Sequence, residues 1–288
     1  MADGGAAPPP EAVRRGVSKG MLTMVVVVVA ALAFAGGIGV GMVFFGGGGG
    51  PPPKEFLIKG TNVPFPPFED FNTTSGQFEG FDIDIAKLVA EEAGRTLVIQ
   101  QFADFQALLT TVGQGGVDMA VSAITITAAR NNTMDFANPY YNANQGILVR
   151  TSSTLTCANN VCEPTDLASL TIGVQLGTTS EAWIDENVAP LMSDPANQIV
   201  RYTQVDTELA ALRLGSLDAV MLDAAPAQSF ASAPSSGLRV AGLVITGELY
   251  GFAVPNGDPD GLVAIINRVL ARIVSDGTYD QLIEKWFG

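Results

Sequence analysis

Histidine is absent from this 288-residue chain, and cysteine and tryptophan occur only twice each. Without histidine there is no Ser-His-Asp triad, no zincin helix and no mixed Cys/His zinc site, and two cysteines cannot build a four-thiolate one. Most hydrolytic chemistry carried by side chains alone is thereby excluded. Charge is scarce as well: charged residues make up 15% of the chain, and only 15 of them are basic against 29 acidic, for a net charge of −14. A field of that sign repels phosphate backbones, which excludes nucleic acid as a partner. There is no GxxxxGK[ST] phosphate loop either, so the chain is not itself an ATPase, and nothing implies a cofactor or a metal. What the chain does have is apolar mass, 47% of its residues, enough for a sizeable packed core.

Part of that mass lies in one run. Residues 21–45, MLTMVVVVVAALAFAGGIGVGMVFF, carry no charge; as a helix they rise about 37 Å, enough to cross a hydrocarbon core of about 30 Å. Arg14, Arg15 and Lys19 precede the run, so the positive-inside rule keeps residues 1–20 in the cytoplasm and sends the remainder outside. The run is read as a membrane anchor. The alternative is a signal cleaved near Ala31-Leu32-Ala33, but a signal's apolar region spans only about 7–15 residues. Residues 46–54, five glycines followed by three prolines and a lysine, are a linker without core-forming capacity. Beyond it, Cys157 and Cys162 sit in TLTCANNVCEP among turn-forming residues; outside the cell they are expected to close a small disulfide loop. Asn72 and Asn131 head N-x-T sequons.

In the body, short apolar runs alternate with helix-length amphipathic segments, a β-α-β-α rhythm that predicts parallel sheets covered by helices in the α/β class. An internal echo sharpens this. LTTVGQGGVDMAVSA (109–123) and LAALRLGSLDAVMLD (209–223) each give helix, turn, hydrophobic-Asp and apolar strand, one hundred residues apart. Two similar lobes follow. Asp118 and Asp218 start their strands and are expected to make cap or turn hydrogen bonds. The strand ends, Ser122-Ala123-Ile124-Thr125 and Leu222-Asp223, lie where open α/β sheets bind ligands.

A zwitterionic ligand loses water from both of its charges on burial, and only charge-assisted hydrogen bonds offset that loss. Arg130 offers a planar fork for a carboxylate. Asp223, a carboxylate at the end of an apolar strand, would be costly to bury without a cation beside it. The acids of GFDID, Asp82 and Asp84, are read as residues favoured in a first helical turn, and Phe56, Phe81 and Phe136 as core.

Six ordered segments, GTNVPFPPFE (60–69), GFDIDIAKLVAEEAG (80–94), SAITITAARNNTMDFANPYY (122–141), IGVQLGTTSE (172–181), LDAVMLD (217–223) and GTYDQLIEKWFG (277–288), together resemble the polar amino-acid-binding proteins of ABC importers, the group that includes glutamine- and histidine-binding periplasmic proteins. The resemblance implies a type II periplasmic-binding-protein-like fold with two hinge strands. Lobe 1 would comprise residues 55–146 and 249–288, and lobe 2 residues 149–246, with crossings near Ile147–Thr151 and Ile245–Phe252. It implies that Arg130 takes the ligand's carboxylate and Asp223 its ammonium, that Ser122, Ala123 and Thr125 add hydroxyl and backbone contacts, and that Gly177, Thr178 and Thr179 add helix N-terminal donors. Phe65 and Phe105 become aromatic walls. Asn62, Gln175 and Leu222 fall where relatives vary and should set selectivity. A neutral Asn62 favours an uncharged polar ligand such as glutamine over a basic one, although Glu69 nearby could serve a cation. The partners implied are that amino acid, ABC permease subunits and, through the anchor, the membrane. Two other readings stand beside this one: an enzyme similar to cyclohexadienyl dehydratase on the same fold, and a ligand-sensing ectodomain.

Overall fold

The fold is known from a computed structural model that describes residues 54–288. The segments expected as a cytoplasmic tail (1–20) and an anchor or signal (21–45), and all but the last residue of the expected linker, lie outside the described residues. Among the described residues no helix is long and apolar enough to cross a membrane.

Among the described residues twelve strands follow one another: β1 (Phe56–Thr61), β2 (Asp70–Asn72), β3 (Gln77–Glu79), β4 (Thr96–Gln101), β5 (Met119–Ala120), β6 (Met134–Phe136), β7 (Tyr141–Arg150), β8 (Ile172–Gln175), β9 (Ile199–Tyr202), β10 (Ala219–Asp223), β11 (Leu238–Tyr250) and β12 (Ala253–Pro255). They form a five-stranded sheet of order β4-β1-β5-β12-β6, a second of order β11-β7-β10-β8-β9, and the small hairpin β2-β3. The sheets are mixed. β1 runs parallel to β4 and β5, and β10 parallel to β8, as the alternating rhythm predicts, but β12 is antiparallel to β5 and β6, and β7 antiparallel to β10 and β11. The chain passes between the sheets twice, and the strands that carry it across enter against the direction of the others.

Each sheet has its own core. Leu57, Ile85, Val89, Val254, Ile266 and Val269 pack on the first, between β1, β12 and the helices Phe81–Glu92 and Leu262–Ser275. Ile147, Val149, Ile172, Val174, Ile184 and Met221 pack on the second. The echo is visible as helix Phe105–Gly113 leading to β5 and helix Val205–Leu214 leading to β10. Asp118 and Asp218 share one device, but it is not a local cap. Asp118 accepts the Ile58 N–H (2.7 Å), where β1 passes, and Asp218 accepts the Thr171 N–H (2.9 Å) just before β8, so each ties its turn to the neighbouring parallel strand. Cys157 and Cys162 are disulfide-bonded and lie against Gly242, where a Cβ would stand 2.7 Å from the Cys162 Sγ.

Three expectations need correction. Phe56 opens β1 at a sheet end and is 48% exposed, while Phe81 is fully buried. The first crossing is not at Ile147–Thr151: Ile147 pairs with Met221 and Gly242, and even Gln145 and Gly146 pair with Asp223 and Leu222, well inside the second sheet. The crossing lies at the start of β7, where Tyr141 pairs with Tyr250 at the end of β11. Phe68, Tyr141, Tyr250 and Phe287 pack together there with ring centroids about 5 to 6 Å apart. Third, Asp82 stands in the first helical turn as expected, but the helix is not its only partner. It is fully buried and accepts hydrogen bonds from the Ala123 N–H (2.9 Å) and the Tyr140 hydroxyl (2.7 Å).

Candidate functional site

Between the sheets is a narrow cleft, with only about 30 Å³ of free room as the lobes stand. Asn62, Phe65, Phe105, Ser122, Ala123, Thr125, Arg130, Gln175, Thr178, Thr179, Leu222 and Asp223 all line it. Gly177 does not; it takes part through its carbonyl, which accepts from Arg130 Nη2 (3.0 Å). Its N–H is committed to the Glu181 carboxylate (2.7 Å), so the expected donor set at this helix start loses one member. Glu69, Ser180, Val205 and Met221 complete the lining.

The two charged groups come from different sheets. Arg130 lies in the short helix Ala128–Asn131, which Thr127 caps by accepting the Arg130 N–H (3.1 Å). Its guanidinium donates to the Thr125 carbonyl (2.8 Å) and to Gly177 of the other lobe, and lies 5.4 Å from the centre of the Phe105 ring. Desolvation lowers its pKa to about 10, against the pull of Asp223 and Glu248, so it stays protonated at neutral pH. Asp223 ends β10, nearly buried, and accepts from the Gln145 amide and the Tyr250 hydroxyl. Burial raises its pKa to about 7, helped by Glu248 and opposed by Tyr250, Gln145 and Arg130. A cation brought against it would restore the ionised form.

The opposite end of the cleft is closed by amides. Gln175 Nε2 donates to Asn62 Oδ1 (3.0 Å) and to the Thr203 carbonyl (3.2 Å), while Asn62 Nδ2 donates to the Phe102 carbonyl (2.8 Å). Leu222, Val205 and Phe65 supply apolar surface beside them.

Behind the first-sheet wall lies a buried ionic group that was not legible in the sequence. Glu69 is fully buried; one oxygen accepts from Ser122 Oγ (2.7 Å), and the side chain lies beside Asp82. Burial and the Asp82 charge raise the Glu69 pKa well above the carboxylate range, and burial raises that of Asp82 as well. Lys59, also fully buried, sits near both with its pKa lowered to about 8 by desolvation. Glu69 thus lines the cleft with one oxygen held by Ser122 and the other without a hydrogen-bond partner. Ala123, whose N–H Asp82 holds, has φ 46°, a left-handed conformation that costs a non-glycine residue about 1–2 kcal/mol. The buried acid keeps that strained turn in place at the cleft.

Two mixed sheets joined by two crossing strands, with a guanidinium and a carboxylate from different lobes facing one buried cleft, define a two-lobed small-molecule-binding protein. The chain belongs to the bacterial extracellular solute-binding proteins, family 3, whose family model matches residues 57–288. It is 30% identical over 230 residues to a probable histidine-binding protein of Neisseria gonorrhoeae, covering 79% of this chain and 81% of that one. To the ABC transporter glutamine-binding protein GlnH of Bacillus subtilis it is 30% identical over 217 residues, 75% of each chain. Among solved structures, an ancestral arginine-binding protein bound to glutamine superposes with a TM-score of 0.73 at 33% identity, over 82% of this chain and 99% of that one. The ancestral amino acid-binding protein AncCDT-1, a precursor of cyclohexadienyl dehydratase, gives 0.68 at 31% identity, over 81% and 96%.

Proposed function

We propose that the cleft closes on a free amino acid with an uncharged polar side chain, glutamine before a basic residue, and delivers it to the permease of an ABC importer. The observation that carries this reading is the placement of Arg130 and Asp223 on different lobes in one buried cleft. Only a ligand bearing both charges at one end satisfies both groups, and only the closed arrangement brings them to it. The amide end, Asn62 with Gln175, offers donors and acceptors without a net charge, which matches a side-chain amide. The same ancestral scaffold has been solved with arginine and with glutamine, which keeps a basic ligand as the alternative. Residues 21–45 would hold the binding body at the outer face of the membrane.

A thermal-shift screen of the full chain against the twenty amino acids tests the reading, because a ligand of the folded form raises stability with the logarithm of its concentration over Kd. Glutamine or another polar amino acid should give the largest shift; no shift with any of the twenty would overturn it. The likeness to AncCDT-1 supports a second reading, a dehydratase in the same cleft. Such an enzyme needs a general acid at the leaving hydroxyl, and a carboxylate paired with an ammonium is a poor one. Turnover of prephenate or arogenate would decide for the enzyme.

A further inference from the structure

The hydroxyl groups of the cleft do not point at random. Thr125 and Thr179 line the cleft on one side and an outer groove on the other, and Glu248, on β11, lines only the outer groove. Thr125 Oγ1 and Thr179 Oγ1 each donate to the same Glu248 oxygen at 2.7 Å, and Gln145 Nε2 donates to the other at 2.9 Å. A hydroxyl has one proton and two lone pairs. With the proton spent on a carboxylate behind the wall, each threonine can offer a group in the cleft only lone pairs. Ser122 repeats the pattern in the same lining, its proton donated to Glu69 at 2.7 Å. The amide of Gln145 also spans Asp223 and Glu248, so the acid that faces the cleft and the acid behind it share one donor.

We propose that Glu248 is a positioning residue for ammonium recognition: by taking the Thr125 and Thr179 protons it turns the wall beside Asp223 into an acceptor-only surface. The inference rests on the amino-acid reading above and deepens it, since it assigns discrimination for the α-amino group to a residue that does not line the cleft. A hydroxyl free to rotate could donate to a neutral or anionic group at that position; these two cannot while Glu248 holds them.

Calorimetric titration of the full chain, kept in mild detergent, tests this with two ligand pairs. L-glutamine is compared with 4-carbamoylbutanoate, which lacks only the amino group, and L-arginine with 5-guanidinopentanoate. In E248A the amino acid should bind about tenfold more weakly, the scale of a lost hydrogen bond to a charged group, while its des-amino partner is unchanged or tighter, so the ratio between them shrinks. E248Q, which keeps an acceptor oxygen, should shrink it less, and E248D should restore it. Equal losses for both members of a pair would show that Glu248 only steadies closure, and an unchanged ratio would show no role; either overturns the proposal. A parent chain that binds neither amino acid defeats the reading beneath it, a result distinct from parent binding with an unaltered ratio.

Discussion

Glu208 sets a sharp test of how this fold is held together. It lies on the helix Val205–Leu214, fully buried, and neither carboxyl oxygen has a hydrogen-bond partner. Its counterpart one hundred residues earlier is Leu108. Leu108 lies under Gly60 in the first lobe and Glu208 under Gly173 in the second, each within contact distance of where a Cβ would stand. An apolar side chain therefore fits this position, and Glu208→Leu should stabilise the protein. Removing an unsatisfied buried polar group is worth about 1–3 kcal/mol with the carboxyl neutral. Burial alone raises the Glu208 pKa well above its ordinary 4.5, which adds a pH-dependent part. At pH 4 the group is protonated in both folded and unfolded chains. Above pH 4.5 the unfolded chain releases its proton while the folded one keeps it, so stability falls as pH rises until the folded pKa is reached. Between those two pKa values the parent should lose stability steadily relative to Glu208→Leu. For a body of this size each kcal/mol is about 2–4 °C in Tm. Thermal unfolding of parent, Glu208→Leu and Glu208→Gln across pH 4–8 reads this directly. The leucine variant should be the most stable throughout and should diverge from the parent with rising pH; the glutamine variant should lose the slope but not the orphaned polar group. Parallel curves for parent and leucine variant, or a leucine variant weaker than the parent at neutral pH, would refute the reasoning.

Three further outcomes follow from the cleft and its surroundings. If Arg130 serves the shared α-carboxylate as proposed, Arg130→Ala should abolish binding of every amino acid, at a loss of about 3 kcal/mol or more, over a hundredfold; near-native affinity by calorimetry would remove that assignment. Asn62→Asp places an acid beside Gln175 and should reorder the ligands in favour of arginine and lysine, so an unchanged ranking in a competition screen would detach Asn62 from selectivity. Replacing Cys157 and Cys162 with serine should cost about 2 kcal/mol, the chain-entropy value for so short a loop, measured by urea unfolding, without changing which ligand binds.

What could be read from the sequence, and what could not, divides along a physical line. The α/β class, the repeated lobe and the positions of Arg130 and Asp223 are written locally: each depends on a strand, the turn after it and the next few residues. Asp82 shows the first limit. At the start of a helix it looks like any acid favoured there by the dipole, and only the packing of Ala123 and Tyr140 onto it reveals a buried network. Glu248 shows the second. It sits on β11, 123 residues from Thr125 and 69 from Thr179, in a segment whose alternating burial marks it only as a strand near an edge. The displaced crossing has the same origin, since the polar first half of β7 gives no sign of which strands it will join, and the pairing partners that decide the boundary lie about eighty to one hundred residues away. Local periodicity marks which residues form an element, but the groups behind a binding site come from elements far apart in the chain that meet only in the folded structure. The groups that give the cleft its polarity are therefore the ones least visible before the structure. They also show what recognition would exchange: Arg130 already donates to Gly177 of the other lobe, and Gln175 to Asn62, so a ligand in the cleft would take over bonds that the lobes make with each other. Because a like-for-like exchange of hydrogen bonds returns little net free energy, on the proposed reading the two ligand charges, set against Arg130 and Asp223, would have to supply most of the affinity.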